Sequence, residues 1–152
     1  METLYWLEDS VVGMTVSSTE WGYPIILSLH AVGMAILVGV ALMLLVRVLG
    51  FAPAIPVTAM APYGRVVLGG FVLNLASGAA LFCGNASELF FNWAFRIKIV
   101  LVFAGMALTW RLIRVCIRQT DDVAPTHRRL AGVAAATWVA AIISGRLIGY
   151  LS

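Results

Sequence analysis

The chain has 152 residues, 62% hydrophobic and 11% charged, with a formal net charge of +3. A soluble domain carries about 25% charged residues, so a mean hydropathy of +0.99 belongs to a bilayer protein, and no stretch is left for a separate soluble domain. Two cysteines, Cys83 and Cys116, make neither a disulfide framework nor a zinc motif.

The first twenty residues hold four acids, Glu2, Glu8, Asp9 and Glu20, and no Lys or Arg, the reverse of a secretory n-region, so no removable signal peptide is expected. They are too polar to span a membrane. Leu4, Leu7, Val11 and Met14 recur at helical spacing and predict one short helix along the membrane surface. It lacks a basic face, so its expected partner is the protein's own helices.

The first expected span is 21–47. Trp21–Val46 contains no Asp, Glu, Lys or Arg and includes His30; as a helix it extends roughly 39 Å against a hydrocarbon core of about 30 Å. Pro24 suits a first turn, and Trp21 and Tyr23 suit the membrane interface. Ala31, Ala35 and Gly39 form a small-residue row that would let another helix approach. Residues 51–63, with Pro53, Pro56 and Pro62, read as an extended loop.

The second span, 65–84, carries Gly69, Gly70 and Gly78 and a polar pair, Asn74 and Ser77; Gly84–Glu88 reads as a turn. The third, 91–112, has Arg96 and Lys98 in its first turns and a basic end, Arg111, Arg114 and Arg118. A loop with Asp121, Asp122 and Pro125 leads to His127-Arg128-Arg129, a solvated helix start, and to the fourth span, 128–151. There Gly132, Ala136, Ala140 and Ser144 form a second small-residue row. Of the five tryptophans, Trp138 alone is mid-span and reads as core packing. The expected fold is an all-α integral membrane four-helix bundle with a short N-terminal interfacial helix, one transmembrane domain over 1–152.

Charge orients this bundle. Arg47, Arg65, Arg111, Arg114, Arg118, Arg128 and Arg129 fall at one end, and Glu2, Glu8, Asp9, Glu20 and Glu88 at the other. The positive-inside rule then puts the basic end in the cytoplasm of a bacterial inner membrane and both termini in the periplasm. The net charge needs no nucleic acid to explain it. Cys83 and Cys116 fall on opposite sides, which excludes a disulfide between them.

The other three basic residues, Arg96, Lys98 and Arg146, lie within spans. Measured from the periplasmic side, His30 and Asn74 are about 13 Å deep, Lys98 about 10 Å and Arg146 about 9 Å. All four helices thus bring a polar group to one layer. Basic residues in a membrane cost roughly 2.5–3.5 kcal/mol at mid-bilayer and face partners. In the bland reading Lys98 and Arg146 snorkel to the interface and His30 bonds a carbonyl. In the functional reading His30 is a ligand or proton carrier, with Arg96, Lys98 or Arg146 holding an anionic group. Haem b fits that reading, with His30 on the metal and either no second ligand or Lys98, because His127 is too distant. A quinone held by His30 and a basic residue fits too, and His30, Met34 and Cys83 offer a softer set for copper.

The runs YPIILSLHAVGMAILVG, SGAALF and FRIKIVL, with a terminal W…SGRLIGY, resemble a family of small uncharacterised bacterial four-helix inner-membrane proteins over nearly the whole chain. Its marked positions map to His30, Gly33, Gly39, Gly78, Phe95, Lys98, Trp138, Gly145 and Arg146. More remotely, the layout is similar to the membrane domain of copper-resistance D proteins and to J-type protoporphyrinogen oxidase. In the latter a first-helix His and a later Lys, here His30 and Lys98, serve a haem or porphyrin site. The expected function is haem b or quinone binding at His30, Asn74, Arg96, Lys98 and Arg146, in electron transfer or as a membrane anchor. The alternatives are a non-redox assembly subunit, partnered by other membrane subunits or its own copies, and porphyrin oxidation.

Overall fold

A computed structural model of the chain describes residues 1–117 and 123–150, without the side chains of 116 and 117. Arg118, Asp121, Asp122 and the Cys116 thiol therefore lie outside the described residues. Among those described there are seven α-helices and no strand. α1 (Glu2–Glu8) and α2 (Val11–Ser18) precede the long α3 (Gly22–Leu49). α4 (Tyr63–Gly84) and the short α5 (Ala86–Phe91) follow, then α6 (Trp93–Leu112) and α7 (Pro125–Ile148). Gly22–Leu49, Thr58–Gly84 and Pro125–Ile148 are long and apolar enough to cross a membrane; α6, which carries Arg96, Lys98 and Arg111, is not among these three.

The helix ends follow local chemistry. The single N-terminal helix expected from the sequence is two, because Ser10 turns its hydroxyl to accept the Gly13 N–H at 3.1 Å and so caps a new helix. Its packed face also differs from the expected one: Gly13 and Val16 are buried, whereas Val11 is 79% exposed. Gly50, at φ 111°, stops α3 and donates its N–H to the Arg47 carbonyl at 3.1 Å. Asn85 ends α4, and the residues expected as a turn instead start α5. Asn92 then separates α5 from α6, its side-chain oxygen accepting the N–H groups of Ala94 at 3.0 Å and Phe95 at 3.2 Å. Pro125 in the first turn starts α7 three residues earlier than expected.

α3 packs on α4, α6 on α7, and α3 on α7. The α3–α4 contact is made at glycines. A Cβ on Gly33 would stand 2.9 Å from the Asn74 nitrogen, and one on Gly70 would stand 2.7 Å from the Leu37 nitrogen. The small-residue row expected to do this work, Ala31, Ala35 and Gly39, is exposed, and nothing lies within 4 Å of a Cβ on Gly39. The two rows are on different faces of one helix, and hydropathy does not separate them. In α7 the buried residues are Ala131, Ala134, Trp138, Ala141 and Ser144, so only Ser144 of the expected row packs inward. Trp138 is fully buried against Gly105 and donates its indole N–H to the Thr109 hydroxyl at 3.0 Å.

One end of the four long helices carries α1, α2 and α5. α2 lies on α3 and α4, and α1 on α5. The Glu8 carboxylate accepts the Ser87 N–H at 2.7 Å in the first turn of α5, and that bond, with the Ser87 hydroxyl beside it, holds the Glu8 pKa below the usual carboxylate range. At the opposite end the 51–62 segment is not simply extended. It folds back under Arg47, which donates to the carbonyls of Pro53 and Ile55, and forms a 3-10 turn, Thr58–Met60, beside a π-helical turn, Ile113–Ile117. Val57 and Ile113 are fully buried there. Between the two ends α4 and α6 are bridged by two aromatic pairs, Phe71–Phe103 edge-on at 5.7 Å and Phe82–Phe95 stacked at 5.5 Å.

Adjacent glycines give a direct test of the α3–α4 contact. Gly70→Ala is expected to cost about 1–3 kcal/mol by overpacking and to lower the thermal midpoint in detergent by several degrees. Gly69→Ala, with open space around its Cβ, should leave stability unchanged or raise it by about 0.5–1 kcal/mol, with the midpoint holding or rising accordingly. Equal effects would place the contact elsewhere. The Glu8 bond gives a pH test. A depressed folded-state pKa means its contribution is present above the usual carboxylate range and lost as pH falls through the depressed value. Hydrogen-exchange protection of the Ser87 amide should therefore be flat at neutral pH and fall only in acid. In Glu8→Ala it should be low throughout.

Candidate functional site

A cavity of about 640 Å³ lies between the facing surfaces of α4 and α6, with α3 and α7 forming its inner wall. Most of its lining is apolar, including Leu27, Leu75, Phe82, Phe95, Ile99 and Phe103. His30, Asn74, Lys98 and Arg146, one from each long helix, also line it. Four of the five residues singled out in the sequence thus meet in one place.

His30 is held from one side. Its Nδ1 lies 3.1 Å from the Asn74 carbonyl oxygen and 3.1 Å from the Ser77 hydroxyl. A carbonyl only accepts, so Nδ1 carries the proton and donates to it. The Ser77 hydroxyl donates instead to the Leu73 carbonyl at 2.7 Å. In return the Asn74 amide donates to the His30 carbonyl at 3.3 Å, which ties the two helices reciprocally. The ring fits here because residue 78 has no side chain: a Cβ on Gly78 would stand 3.1 Å from His30 Cε1. Asn74 is thus a positioning group, its amide committed to the α3 backbone.

The other ring nitrogen faces the cavity. Nε2 lies 3.3 Å from Lys98 Nζ, and with the proton on Nδ1 it accepts from the ammonium. The Lys98 stem lies across Gly145, where a Cβ would come within 3.3 Å of Cδ and Cε. Arg146 is exposed at the rim, with its guanidinium carbon 6.0 Å from the Tyr150 ring centre. The polar end therefore offers a hydrogen-bond acceptor and a cationic donor at one point, with a second cation nearby.

Arg96 does not join them. It is exposed, donates from Nε to the Phe90 carbonyl at 2.8 Å, and sits 5.2 Å from the Phe90 ring centre, outside the cavity lining. Two positions along α6 separate Arg96 from Lys98, about 200° around a helix, so both cannot face one cavity. The copper set is not gathered either. Met34 packs on the apolar core, and neither Met34 nor Cys83 lines the cavity. Among the described residues no group of three or more His, Cys, Asp or Glu could hold a metal ion. Ser77 belongs to the site although the sequence reading left it out. The signal was its spacing, since Asn74, Ser77 and Gly78 share one helix face.

No protein-family model, curated protein or solved structure matches the chain. The geometry is what bears on function.

The His30 network predicts its own spectrum. In histidine-labelled protein at neutral pH, nitrogen-15 NMR should show His30 with a protonated Nδ1 and an unprotonated Nε2. A proton on Nε2 in place of Nδ1 would contradict the assigned donor to Asn74.

Proposed function

We propose that the chain is a multi-pass inner-membrane protein whose four long helices, α6 included, cross the bilayer, and that its cavity binds a quinone or quinol. The bilayer reading is supported by the outer surface. Ile25, Val32, Val72, Val100, Phe103 and Ile143 are exposed, while Asn74, Ser77, Thr109 and Ser144 are buried inside. Within a bilayer these outward side chains meet lipid instead of water. The start of α1 and the end of α7 lie at the end away from Arg47, Arg65, Arg111, Arg114, Arg128 and Arg129, the periplasmic end by the positive-inside rule.

The observation that carries the ligand reading is the His30–Lys98 pair at the polar end of an otherwise apolar cavity. A quinone carbonyl takes a hydrogen bond from the Lys98 ammonium. A quinol hydroxyl gives one to His30 Nε2. The two groups are 3.3 Å apart, so one ligand oxygen meets a matched partner in either state. Phe82, Phe95 and Phe103 offer ring faces and edges to a flat head group, and the gap between α4 and α6 gives an apolar tail a way out toward lipid. The chain's own part is binding and proton handling; electrons pass to or from a partner subunit of an electron-transfer complex.

One observation favours a second ligand, haem b. The Asn74 carbonyl fixes the His30 tautomer and leaves Nε2 toward the cavity, the outer-shell arrangement common behind metal-bound histidines. If haem were bound, His30 would hold the iron, and Lys98 and Arg146 would meet its carboxylates. When bound, haem would supply one-electron chemistry.

Protein purified in mild detergent should release quinone on solvent extraction and show no Soret band. A Soret band that sharpens on reduction would select haem instead. In the quinone case Lys98→Met should weaken binding of a short-chain quinone by roughly 10- to 100-fold, the worth of a hydrogen bond to a charged group, as read by tryptophan quenching. Unchanged affinity in both Lys98→Met and His30→Ala would sink the site and leave an assembly subunit as the better reading.

A further inference from the structure

A second cavity, of about 400 Å³, lies at the opposite end of the molecule, where the last turn of α6 faces the first turns of α7. Its composition is mixed. Arg111, His127 and Arg129 line it together with the apolar Leu112, Leu130 and Val133. No carboxylate lines it or pairs with either arginine among the described residues. Arg47, by contrast, is committed to its own loop carbonyls, and Arg114 lies over Trp110 with its guanidinium carbon 5.8 Å from the ring centre. His127 Nδ1 is shielded from solvent and has no hydrogen-bond partner among the described residues.

We infer that this cavity binds the phosphate of an anionic glycerophospholipid. Arg111 and Arg129 supply planar donors from two helices to the phosphate oxygens. The apolar part decides between a lipid and a free anion. A dissolved phosphate has no use for Leu130 and Val133, whereas an acyl chain leaving the headgroup runs along them. The inference rests on the membrane reading above, in which this basic end is the cytoplasmic face, where anionic headgroups attract basic residues.

The test uses the full chain in nanodiscs of phosphatidylcholine, with phosphatidylglycerol or cardiolipin titrated in and the thermal midpoint followed. The midpoint should rise with anionic lipid. The Arg111→Gln/Arg129→Gln double variant should need roughly thirtyfold more of it for the same rise. Val133→Trp, which leaves every charge in place and fills the apolar part, should also blunt the response and guards against misfolding of the double variant. Arg47→Gln should respond like wild type. An equal rise with inorganic phosphate in lipid-free detergent would overturn the lipid assignment in favour of a free-anion site. Wild-type response in both the double variant and Val133→Trp would remove the site. Insertion into discs without any preference for anionic lipid sinks this inference alone, whereas failure to insert sinks the membrane reading with it.

Discussion

The closeness of α3 and α4 is the constraint on which the rest depends. At Gly33 and Gly70 the two backbones approach until a single methyl group would stand less than 3 Å from the facing chain. Only at that distance can the Asn74 amide reach the His30 carbonyl while the His30 ring reaches the Asn74 carbonyl. Gly78, one turn on, then leaves room for the ring itself. Three glycines on one face of two helices thus convert a histidine in an apolar segment into one with a fixed tautomer and a fixed direction. The polar bonds follow from the packing.

α6 and α7 make the complementary half by the same means with different parts. Trp138 lies on Gly105 and bonds Thr109, which fixes the rotation of each helix about its axis. That rotation turns Lys98 across Gly145 toward His30 and turns Arg96 out toward Phe90. The two halves meet directly through α3 and α7, while α4 and α6 are held apart by ring pairs. The cavity is the space that remains. Its one polar end arises where the inner helices supply His30 and Gly145.

Much of this was legible in the sequence, for physical reasons that also mark where legibility ends. The positions of the long helices were readable because apolar runs long enough for a span are separated by polar or proline-rich segments; their ends were not, since Gly50, Asn92 and Pro125, which stop or start the helices, were not read as boundaries. The common depth of His30, Asn74, Lys98 and Arg146 was readable because helical rise is constant, so counting residues measures distance. Azimuth was not. In an amphipathic helix hydropathy marks the inner face, but Ala31, Gly33, Ala35 and Gly39 are alike apolar, and nothing in composition distinguishes the row that packs from the row that is exposed. The same uncertainty placed Arg96 in the site. Two positions of offset from Lys98 could have excluded it, but the choice of which one faced inward needed the helix rotation that Trp138 sets.

The two cavities differ in a way that bears on how each would work. At His30 the donor and acceptor already satisfy one another, so a ligand must replace the Lys98–His30 bond with bonds of its own. Such a site discriminates by hydrogen-bond match and releases a ligand whose bonding changes, which suits a molecule that gains and loses protons. At Arg111 and Arg129 no internal partner competes among the described residues, and the His127 nitrogen is left without one. Nothing is displaced when an anion enters except water. A site of that kind holds its ligand steadily and does not report on its protonation, which suits a structural lipid. One chain of four long helices thus has room for exchange at one end and for anchorage at the other.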